Sequence, residues 1–364
     1  MIERIYLSLT KHIDGFLMST IILALVVGMA VLYSAGGHSV GRMQAQAINI
    51  VIALSVLWVT ANVPPQHLQR LALPIYVLGL LLLVGVALFG EISNGARRWL
   101  HLGVVRIQPS EIMKIGVPML LAWYFARHEA SPRLQHHLMG ALLLAVPVVL
   151  VMKQPDLGTS LLIAASGFYV LFLAGLSWRF ILGVGASIAV AAPILWTMLH
   201  DYQRRRIEIL FDPYQDPLGA GYHTIQATIA LGSGGLAGKG WLNGTQAQLD
   251  FIPERTTDFI FAVFGEEFGM LGNILLLLLY LLIIGRGLFI AAYAQSTFGR
   301  LLAGSITMTF FTYAFVNIGM VSGILPVVGV PLPLISYGGT SLVTLMLGLG
   351  ILMSIKTHKK LVSS

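Results

Sequence analysis

The sequence predicts an all-α polytopic membrane protein with about ten transmembrane helices. Only 10% of its 364 residues are charged and 57% are hydrophobic, whereas soluble domains carry about 25% charged residues. A soluble core of this size could not bury so much apolar surface. A membrane helix needs roughly 20 mostly apolar residues, and ten segments meet this requirement: 15–35, 43–63, 72–90, 109–127, 137–152, 157–175, 179–200, 258–285, 301–323 and 337–356.

The basic residues in the short loops predict that both termini are cytoplasmic, because such loops carry more Lys and Arg on the cytoplasmic side. The chain then forms a single integral-membrane domain, 1–364, with one large extracytoplasmic loop, 201–257, between the seventh and eighth helices. The cytoplasmic loops and ends would hold eleven basic residues against five in the short outer loops. This orientation and contact with anionic lipid explain the net charge of +7 without a nucleic-acid partner.

The fourth segment contains an acid and a base at membrane depth, in "RIQPSEIMKIGVPML". Pro109 suits the first turn of a helix, and Glu111 and Lys114 then share one face at a spacing of three residues. A charge inside the bilayer costs at least about 2.5–3.5 kcal/mol, so it indicates function by default. The two residues neutralise each other to ease insertion, or line a polar cavity with Arg106 at its rim, or do both.

The sixth segment begins in "KQPDLGTSLL", where Asp156 is placed to cap the helix N-terminus. Capping alone would explain this aspartate. Lys153 and Gln154 lie beside it on the predicted outer face, which favours an additional role in binding.

The eighth segment follows the charged stretch "FIPERTTD", so Asp258 is predicted at a helix start, with Glu254 just upstream. Capping is again an alternative role, and a helix start would lower the pKa of the Asp258 carboxyl. Glu266 and Glu267 lie deeper and are interpreted as structural or cavity-lining. The segment is long enough to be tilted, or broken near Gly265.

The tenth segment is preceded by "GILPVVGVPLPLISYGG", an uncharged stretch with three prolines. Non-helical backbone at membrane depth is tolerated only where protein buries it or where it lines a cavity. The stretch, which includes Ser336, Gly338 and Gly339, is therefore predicted to be a re-entrant segment that receives an isoprenoid chain or a protein helix. A plain tight connection is the alternative.

The sequence motifs argue against a bound nucleotide and a zinc site. "GSGGLAGKG" departs from a phosphate-binding loop, because Ser233 takes the place of its first glycine and Gly240 the place of its final Ser/Thr. The histidines lack zinc-site spacing, and the chain has no cysteine.

These stretches, together with "DPLGAGYHTIQATIALGSGGLAGKGW", resemble the SEDS family of bacterial cell-wall polymerases in the same order over nearly the whole chain. The last loop resembles the elongation members of the family more than the division members. The resemblance implies a multi-pass protein of the bacterial inner membrane that polymerises lipid II into glycan strands on the outer face.

The resemblance also implies roles for individual residues. Asp258 matches the essential acid of the family and is the candidate base, while Glu111, Lys114 and Asp156 would line a central polar cavity. Cations for the leaving pyrophosphate are available from Arg106, Lys114, Lys153 and the Arg204–Arg206 run, of which Arg204 is the candidate site residue. A divalent cation, Mg²⁺ or Mn²⁺, is compatible with Asp258, Asp156 and Glu111 as oxygen ligands, whereas nucleotide, haem and zinc are not expected.

The partners implied are a class B penicillin-binding protein, undecaprenyl-linked glycan, membrane lipid and an elongation complex that includes MreB-associated proteins. Two other functions fit the same residues. The protein could be a flippase that moves lipid II across the bilayer, or a scaffold that only recruits the penicillin-binding protein.

Overall fold

Ten long helices account for most of the computed structural model, which describes residues 10–93, 96–102, 105–128, 133–199, 201–217, 219–249 and 251–358. Each overlaps one of the ten predicted segments. Their bounds are α1 Gly15–Ala35, α2 Val40–Ala61, α3 Pro65–Phe89, α4 Pro109–Ala126, α5 Leu134–Met152, α6 Leu157–Leu173, α7 Trp178–Met198, α11 Ile260–Ala292, α12 Thr297–Val321 and α13 Gly339–Thr357.

Seven of these helices are long and apolar enough to cross a bilayer, namely α1, α2, α3, α5, α11, α12 and α13. Helix α6 and the stretch 178–194 of α7 are apolar but shorter. The chain is therefore an all-α, multi-pass membrane protein, as predicted. The count of ten crossings and the cytoplasmic position of both ends stay predictions.

Helix α12 lies at the centre of the bundle, and 78% of the residues in its most apolar 18-residue stretch are buried. It contacts α4, α6, α11 and α13. Its buried face carries hydroxyl and amide side chains, which include Ser305, Thr307, Thr309, Thr312 and Asn317. The interior of the bundle is therefore polar along this helix.

A short antiparallel sheet between α3 and α4 was not predicted. Its strands are β1 Glu91–Ser93, β2 Ala96–Leu102 and β3 Val105–Ile107, in the order β1-β2-β3. Leu100 pairs with Ile107, and His101 with Arg106. The strands are too short to give a clear alternating pattern between two strongly apolar helices. Strand β2 contacts α3 and α4, and the sheet thereby reaches the start of α4.

The 201–257 segment contains helices α8 Asp201–Phe211, α9 Ala220–Ser233 and α10 Thr245–Gln248, with a 3-10 turn at Pro213–Gln215. Helix α9 packs on α11 and covers most of the stretch "YHTIQATIALGSG". The segment is thus folded against the helix bundle rather than extended as a linker.

Helix α11 is broken at Gly269, four residues beyond the predicted position. Gly269 has φ 64° and ψ −161°, a conformation that glycine adopts without a Cβ clash. At the break, Met270 N–H and Leu271 N–H donate to the carbonyls of Gly235 and Leu236 at 2.9 and 3.0 Å. The loop after α9 therefore replaces helical hydrogen bonds that the break removes.

Glu266 and Glu267 hold this loop in place. The Glu266 carboxylate is fully buried and accepts hydrogen bonds from Lys239 Nζ at 2.7 Å, Thr245 Oγ1 at 3.0 Å and Gln246 N–H at 3.0 Å. Glu267 accepts a hydrogen bond from the Ser34 hydroxyl of α1. Of the two interpretations of these acids, the contacts support the structural one.

Glu266→Ala is expected to lower the thermal midpoint by several degrees, because it removes the acceptor of the buried Ala247 N–H and of the partly buried Gln246 N–H and Lys239 ammonium. A buried group left without its acceptor costs about 1–3 kcal/mol. Thermal unfolding in detergent measures the change, with the exposed Glu208→Ala as the control. An unchanged midpoint would contradict the structural role.

At the opposite end of the bundle, Asp14 joins three helices. Its buried carboxylate caps α1 through Leu17 N–H at 2.8 Å and pairs with Arg286 of α11 at 2.8 Å and with Lys356 of α13. Burial alone would raise the pKa of Asp14, but the hydrogen bonds from Arg286 and Lys356 lower it to about 2.

Candidate functional site

Asp258 lies in the turn that precedes α11, and its carboxylate does not cap the helix. The helix begins at Ile260, its N-cap is Phe259, and no side chain makes the cap hydrogen bond. The backbone carbonyl of Asp258 accepts a hydrogen bond from Asn317 Nδ2 at 2.8 Å. The capping alternative for Asp258 is therefore wrong, because the helix starts two residues later than predicted.

The surroundings of Asp258 favour the protonated form of its carboxyl, compared with the same group in water. Burial raises its pKa to about 6, and the negative charge of Glu254 acts in the same direction. The expectation that a helix start lowers this pKa is also wrong, since the side chain is poorly hydrated and does not receive the helix N–H groups. A carboxyl with a pKa near 6 is mostly ionised at neutral pH and more basic than an ordinary carboxylate.

Glu254 is positioned by the same turn. It adopts a left-handed backbone conformation with φ 48°, and its Oε2 accepts a hydrogen bond from Thr257 Oγ1 at 2.9 Å. Its own side chain is exposed, so it adds negative charge beside Asp258 from the solvent side.

The second half of the loop between α12 and α13 is buried without being helical, which supports the re-entrant interpretation. The depth of the loop in the membrane stays a prediction. Val330, Leu332, Leu334 and Ile335 are at most 3% exposed. Gly329 has φ 73°, and a Cβ placed on it would lie 3.3 Å from Asp258 Oδ2. The loop backbone therefore passes directly beside the carboxylate.

Ser336 attaches this loop to the turn that holds Asp258. Its hydroxyl donates to Thr257 O at 2.6 Å and accepts from Leu332 N–H at 2.8 Å, and Tyr337 N–H donates to Thr256 O at 2.9 Å. The Ser336 hydroxyl thus donates to one backbone group and accepts from another. Its predicted contact with substrate stays a prediction, and its observed contacts are structural.

Gly338 and Gly339 face α2 instead. Gly338 N–H donates to Gln46 Oε1 at 3.4 Å, and a Cβ placed on Gly339 would lie 3.0 Å from Asn49 Oδ1. The start of α13 therefore packs closely on α2.

Glu111 and Lys114 form a buried pair on α4. Lys114 Nζ donates to Glu111 Oε1 at 2.6 Å and to Tyr313 Oη at 2.7 Å, and the lysine is 4% exposed. Among the described residues, Glu111 Oε2 has no hydrogen-bond partner. The pair neutralises itself and also leaves one acceptor oxygen unused in the interior, so both interpretations of it agree with the structure.

Asp156 caps α6, as predicted, through Thr159 N–H at 3.1 Å. Its other oxygen lies 3.4 Å from Gln108 Nε2 and 3.8 Å from Arg98 Nε. Arg98 of β2 also donates to Pro155 O at 2.6 Å. The sheet thus brings an arginine to Asp156.

The loop segment 328–330 lies between Asp258 and the first turn of α6. A Cβ on Gly158 would lie 3.3 Å from Val330 Cγ2 and 3.4 Å from Gly329 O. On the other face, Gly329 adjoins the Asp258 carboxylate. The segment therefore separates the two acids that begin α6 and precede α11.

The remaining predicted cations are Arg106, Lys153 and Arg204. Arg106 and Lys153 are exposed, on β3 and at the C-terminus of α5. Arg204 donates to the carbonyls of Trp196 and Thr197 at 3.0 and 2.7 Å, at the end of α7.

Sequence reasoning missed Arg98, Tyr313 and Asn317. Tyr313 and Asn317 lie within a predicted transmembrane segment, and an isolated polar side chain at membrane depth was the available signal. Arg98 could not be assigned, because the sheet that orients it was not predicted.

The described residues do not form a metal centre from side chains alone. No group of three His, Cys, Asp or Glu in them is placed to hold an ion. Glu111 and Asp156 already pair with Lys114 and with Arg98 and the α6 backbone. A Mg²⁺ or Mn²⁺ ion held mainly by substrate phosphates needs only one or two carboxylates, so the cation stays a prediction.

Comparisons with known proteins find relatives of one family over nearly the whole chain. The FtsW, RodA and SpoVE family model, described as "Cell cycle protein", matches residues 14–361. The peptidoglycan glycosyltransferase MrdB of Escherichia coli K12 is 54% identical over 353 residues, which cover 97% of this chain and 95% of MrdB.

Two solved structures share the fold. A chain from a study of the "structural coordination of polymerization and crosslinking by a peptidoglycan synthase complex" has a TM-score of 0.82 at 32% identity, covering 94% of this chain and 97% of that one. The crystal structure of rod shape determining protein RodA from Thermus thermophilus has a TM-score of 0.71 at 28% identity, covering 94% and 96%.

Proposed function

Because the chain belongs to the family of FtsW, RodA and SpoVE cell cycle proteins, we propose that it is a peptidoglycan glycosyltransferase of cell elongation, with Asp258 as its base. The observation that carries the function is the 54% identity, over nearly the full chain, to an enzyme of that name. The similarity to MrdB and RodA confirms the predicted resemblance to elongation members. The enzymatic function takes precedence over the flippase and scaffold alternatives.

The proposed substrate is lipid II, which presents a sugar to the outer face while its isoprenoid chain stays in the bilayer. In the reaction, a hydroxyl of the acceptor sugar attacks the anomeric carbon of the donor sugar. The new glycosidic C–O bond forms as the C–O bond to the lipid pyrophosphate breaks, and configuration at the anomeric carbon inverts. The attacking hydroxyl must lose its proton, and a single carboxylate suffices as the acceptor, with no covalent intermediate.

Asp258 suits this role because of where it lies and how it is held. Its turn precedes α11, at the end of the helix where the membrane-anchored sugar is proposed to approach. Its side chain is not used in capping, and its pKa of about 6 lets it accept a proton from a bound hydroxyl at neutral pH. Once protonated, it releases the proton to water when the product leaves.

The leaving pyrophosphate needs positive charge, which charge-assisted hydrogen bonds from Lys and Arg supply. Exposed Arg106 and Lys153 border the region near Asp156, and Arg98 is already directed toward it. The donor pyrophosphate is proposed to bind near the first turn of α6, with the acceptor sugar at Asp258. The segment 328–330 would then lie between the two substrates.

The proposed partner is a class B penicillin-binding protein, within an elongation complex that includes MreB-associated proteins. The likeness to a chain of a peptidoglycan synthase complex supports an assembly of this kind. The proposed location is the bacterial inner membrane, which agrees with the multi-pass fold.

The test of the function is polymerisation by the purified protein together with its partner. Labelled lipid II should be converted into glycan strands that resolve as a ladder on a gel. Well-folded protein that yields no product with its partner, but moves lipid II between leaflets of a vesicle, would establish the flippase instead.

The rate of polymerisation is expected to fall at acid pH with a midpoint near 6, because protonated Asp258 cannot accept the acceptor's proton. Glu254→Gln removes the negative charge that raises the Asp258 pKa, so the midpoint should move to lower pH. Initial rates between pH 4.5 and 8.5 measure both profiles, with the exposed Glu208→Gln as the control. An unchanged midpoint in Glu254→Gln would show that another group governs the acid limb.

A further inference from the structure

Asn317 is a fully buried amide on α12 that bonds to two separate parts of the site. Its Nδ2 donates to Asp258 O at 2.8 Å and to Val330 O at 2.7 Å. One side chain therefore joins the turn before α11 to the loop segment that passes beside the Asp258 carboxylate.

The orientation of this amide follows from its partners. Both are backbone carbonyls, which only accept hydrogen bonds, and an NH₂ group has two hydrogens to donate. Turning the amide over would direct Oδ1 at two carbonyl oxygens. Asn317 thus uses both donors on these two carbonyls, and a hydroxyl or carboxyl side chain could not satisfy the pair.

The two carbonyls belong to the turn that carries Asp258 and to the 328–330 segment, and the distance between these two parts determines the space around the Asp258 carboxylate. Val330 directly follows Gly329, whose Cα adjoins the Asp258 carboxylate, and it also packs near Gly158 at the start of α6. A shift of 328–330 would change both the space around the carboxylate and its distance from α6. Displacement of a reacting group by about 1 Å can lower a rate about 100-fold.

We propose that Asn317 is a positioning residue for the transfer reaction, holding Asp258 against the 328–330 segment so that its carboxylate meets the acceptor hydroxyl. The proposal rests on the function assigned above. Asn317 acts through the backbone and does not contact the reacting atoms.

Asn317→Leu keeps the branched shape of the side chain, with two larger methyl groups in place of the amide atoms, and removes both hydrogen bonds. Polymerisation is expected to fall about 100-fold in kcat, with KM for lipid II changed less than about 3-fold, because no substrate contact is lost. The acid limb of the rate profile should also move to lower pH, since a released carboxylate gains water. The neighbouring titratable groups, Glu254 and the His223 ring stacked on Phe259, are unaltered by the substitution.

The experiment compares four variants per amount of folded, monodisperse protein. Asn317→Ser, which retains one donor, stands in if the leucine variant fails to fold, and a smaller loss in kcat is expected from it. Thr307→Val is the control on the same helix. Within the described part of the chain, the Thr307 hydroxyl bonds only to the Ala303 carbonyl of that helix at 2.8 Å, so the substitution should leave the rate and the pH profile unchanged. Asp258→Asn marks the rate without the base.

The outcomes distinguish the positioning role of Asn317 from the role of Asp258 as the base. A lower kcat with a shifted acid limb supports positioning, whereas a lower rate with an unshifted limb and a raised KM would overturn it. Normal kinetics in Asn317→Leu beside an inactive Asp258→Asn would also overturn it and leave the proposed function intact. An active Asp258→Asn would instead remove Asp258 as the base.

Discussion

Asp258→Asn is expected to abolish glycan polymerisation while the protein remains folded and able to bind lipid II. Asparagine preserves the size and the backbone contacts of Asp258, but its amide cannot accept the proton of the acceptor hydroxyl. General base catalysis contributes about 10²- to 10⁴-fold to a rate. The measurement is the initial rate with labelled lipid II and the partner protein present.

The same substitution should raise the thermal midpoint at neutral pH. The folded-state pKa of Asp258 is about 6, above its ordinary value of 3.8, so the folded state binds this proton more tightly than the unfolded state. Stability from this group is present below the ordinary pKa and is lost as pH rises through 6. Above pH 6 the ionised carboxylate costs about 1–3 kcal/mol, which asparagine removes.

Asp14→Asn is the matched control, because the effect has the opposite sign. The pKa of Asp14 lies at about 2, and its ionised form is stabilised by Arg286 and Lys356. Losing that charge should lower the thermal midpoint and leave polymerisation per folded molecule unchanged. If Asp258→Asn instead lowers stability as much as Asp14→Asn does, the carboxylate is a structural group and the assignment of the base is wrong.

Lys114→Met is expected to reduce the yield of folded protein severely, because it leaves the Glu111 carboxylate in the bundle interior without its cation. Breaking a buried ion pair from one side costs about 3–5 kcal/mol. Methionine is one atom shorter than lysine but has nearly the same side-chain volume, so the main loss is that of the charge. Tyr313 would also lose its contact with Lys114 Nζ.

The double variant Glu111→Gln with Lys114→Met should recover much of the folded protein, because two neutral side chains replace the pair. It should not recover polymerisation if the pair serves the reaction. Thermal midpoints and lipid II turnover of the two single variants and the double variant form a mutant cycle. Full activity in the double variant would show that the pair serves only to stabilise the bundle.

The sequence was sufficient for the fold class, because each of ten apolar segments must bury its backbone in a helix once it enters lipid. The first and last residues of the helices were predicted less accurately. Helix α3 starts at Pro65 rather than 72, since the polar first turns before Leu71 continue as helix. The sheet at 91–107 was missed because three short strands leave no period that stands out beside apolar helices.

At the site, the rule that a charge at membrane depth is functional located Glu111, Lys114, Asp156 and Asp258. The rule could not supply their surroundings. The pKa of Asp258 depends on burial by a loop some 70 residues away in sequence and on the turn that places Glu254. The role of Asn317 depends on two carbonyls from separate segments, which only the fold brings together.

The most direct test of the base is the structure of the Asp258→Asn variant bound to its partner and to donor and acceptor lipid II analogues. The side chain at position 258 is expected to lie about 2.6–3.2 Å from the attacking hydroxyl of the acceptor sugar, the range for proton transfer to a general base. A hydroxyl that instead meets Glu254 or Glu111, with position 258 facing away from the sugar, would contradict the central assignment.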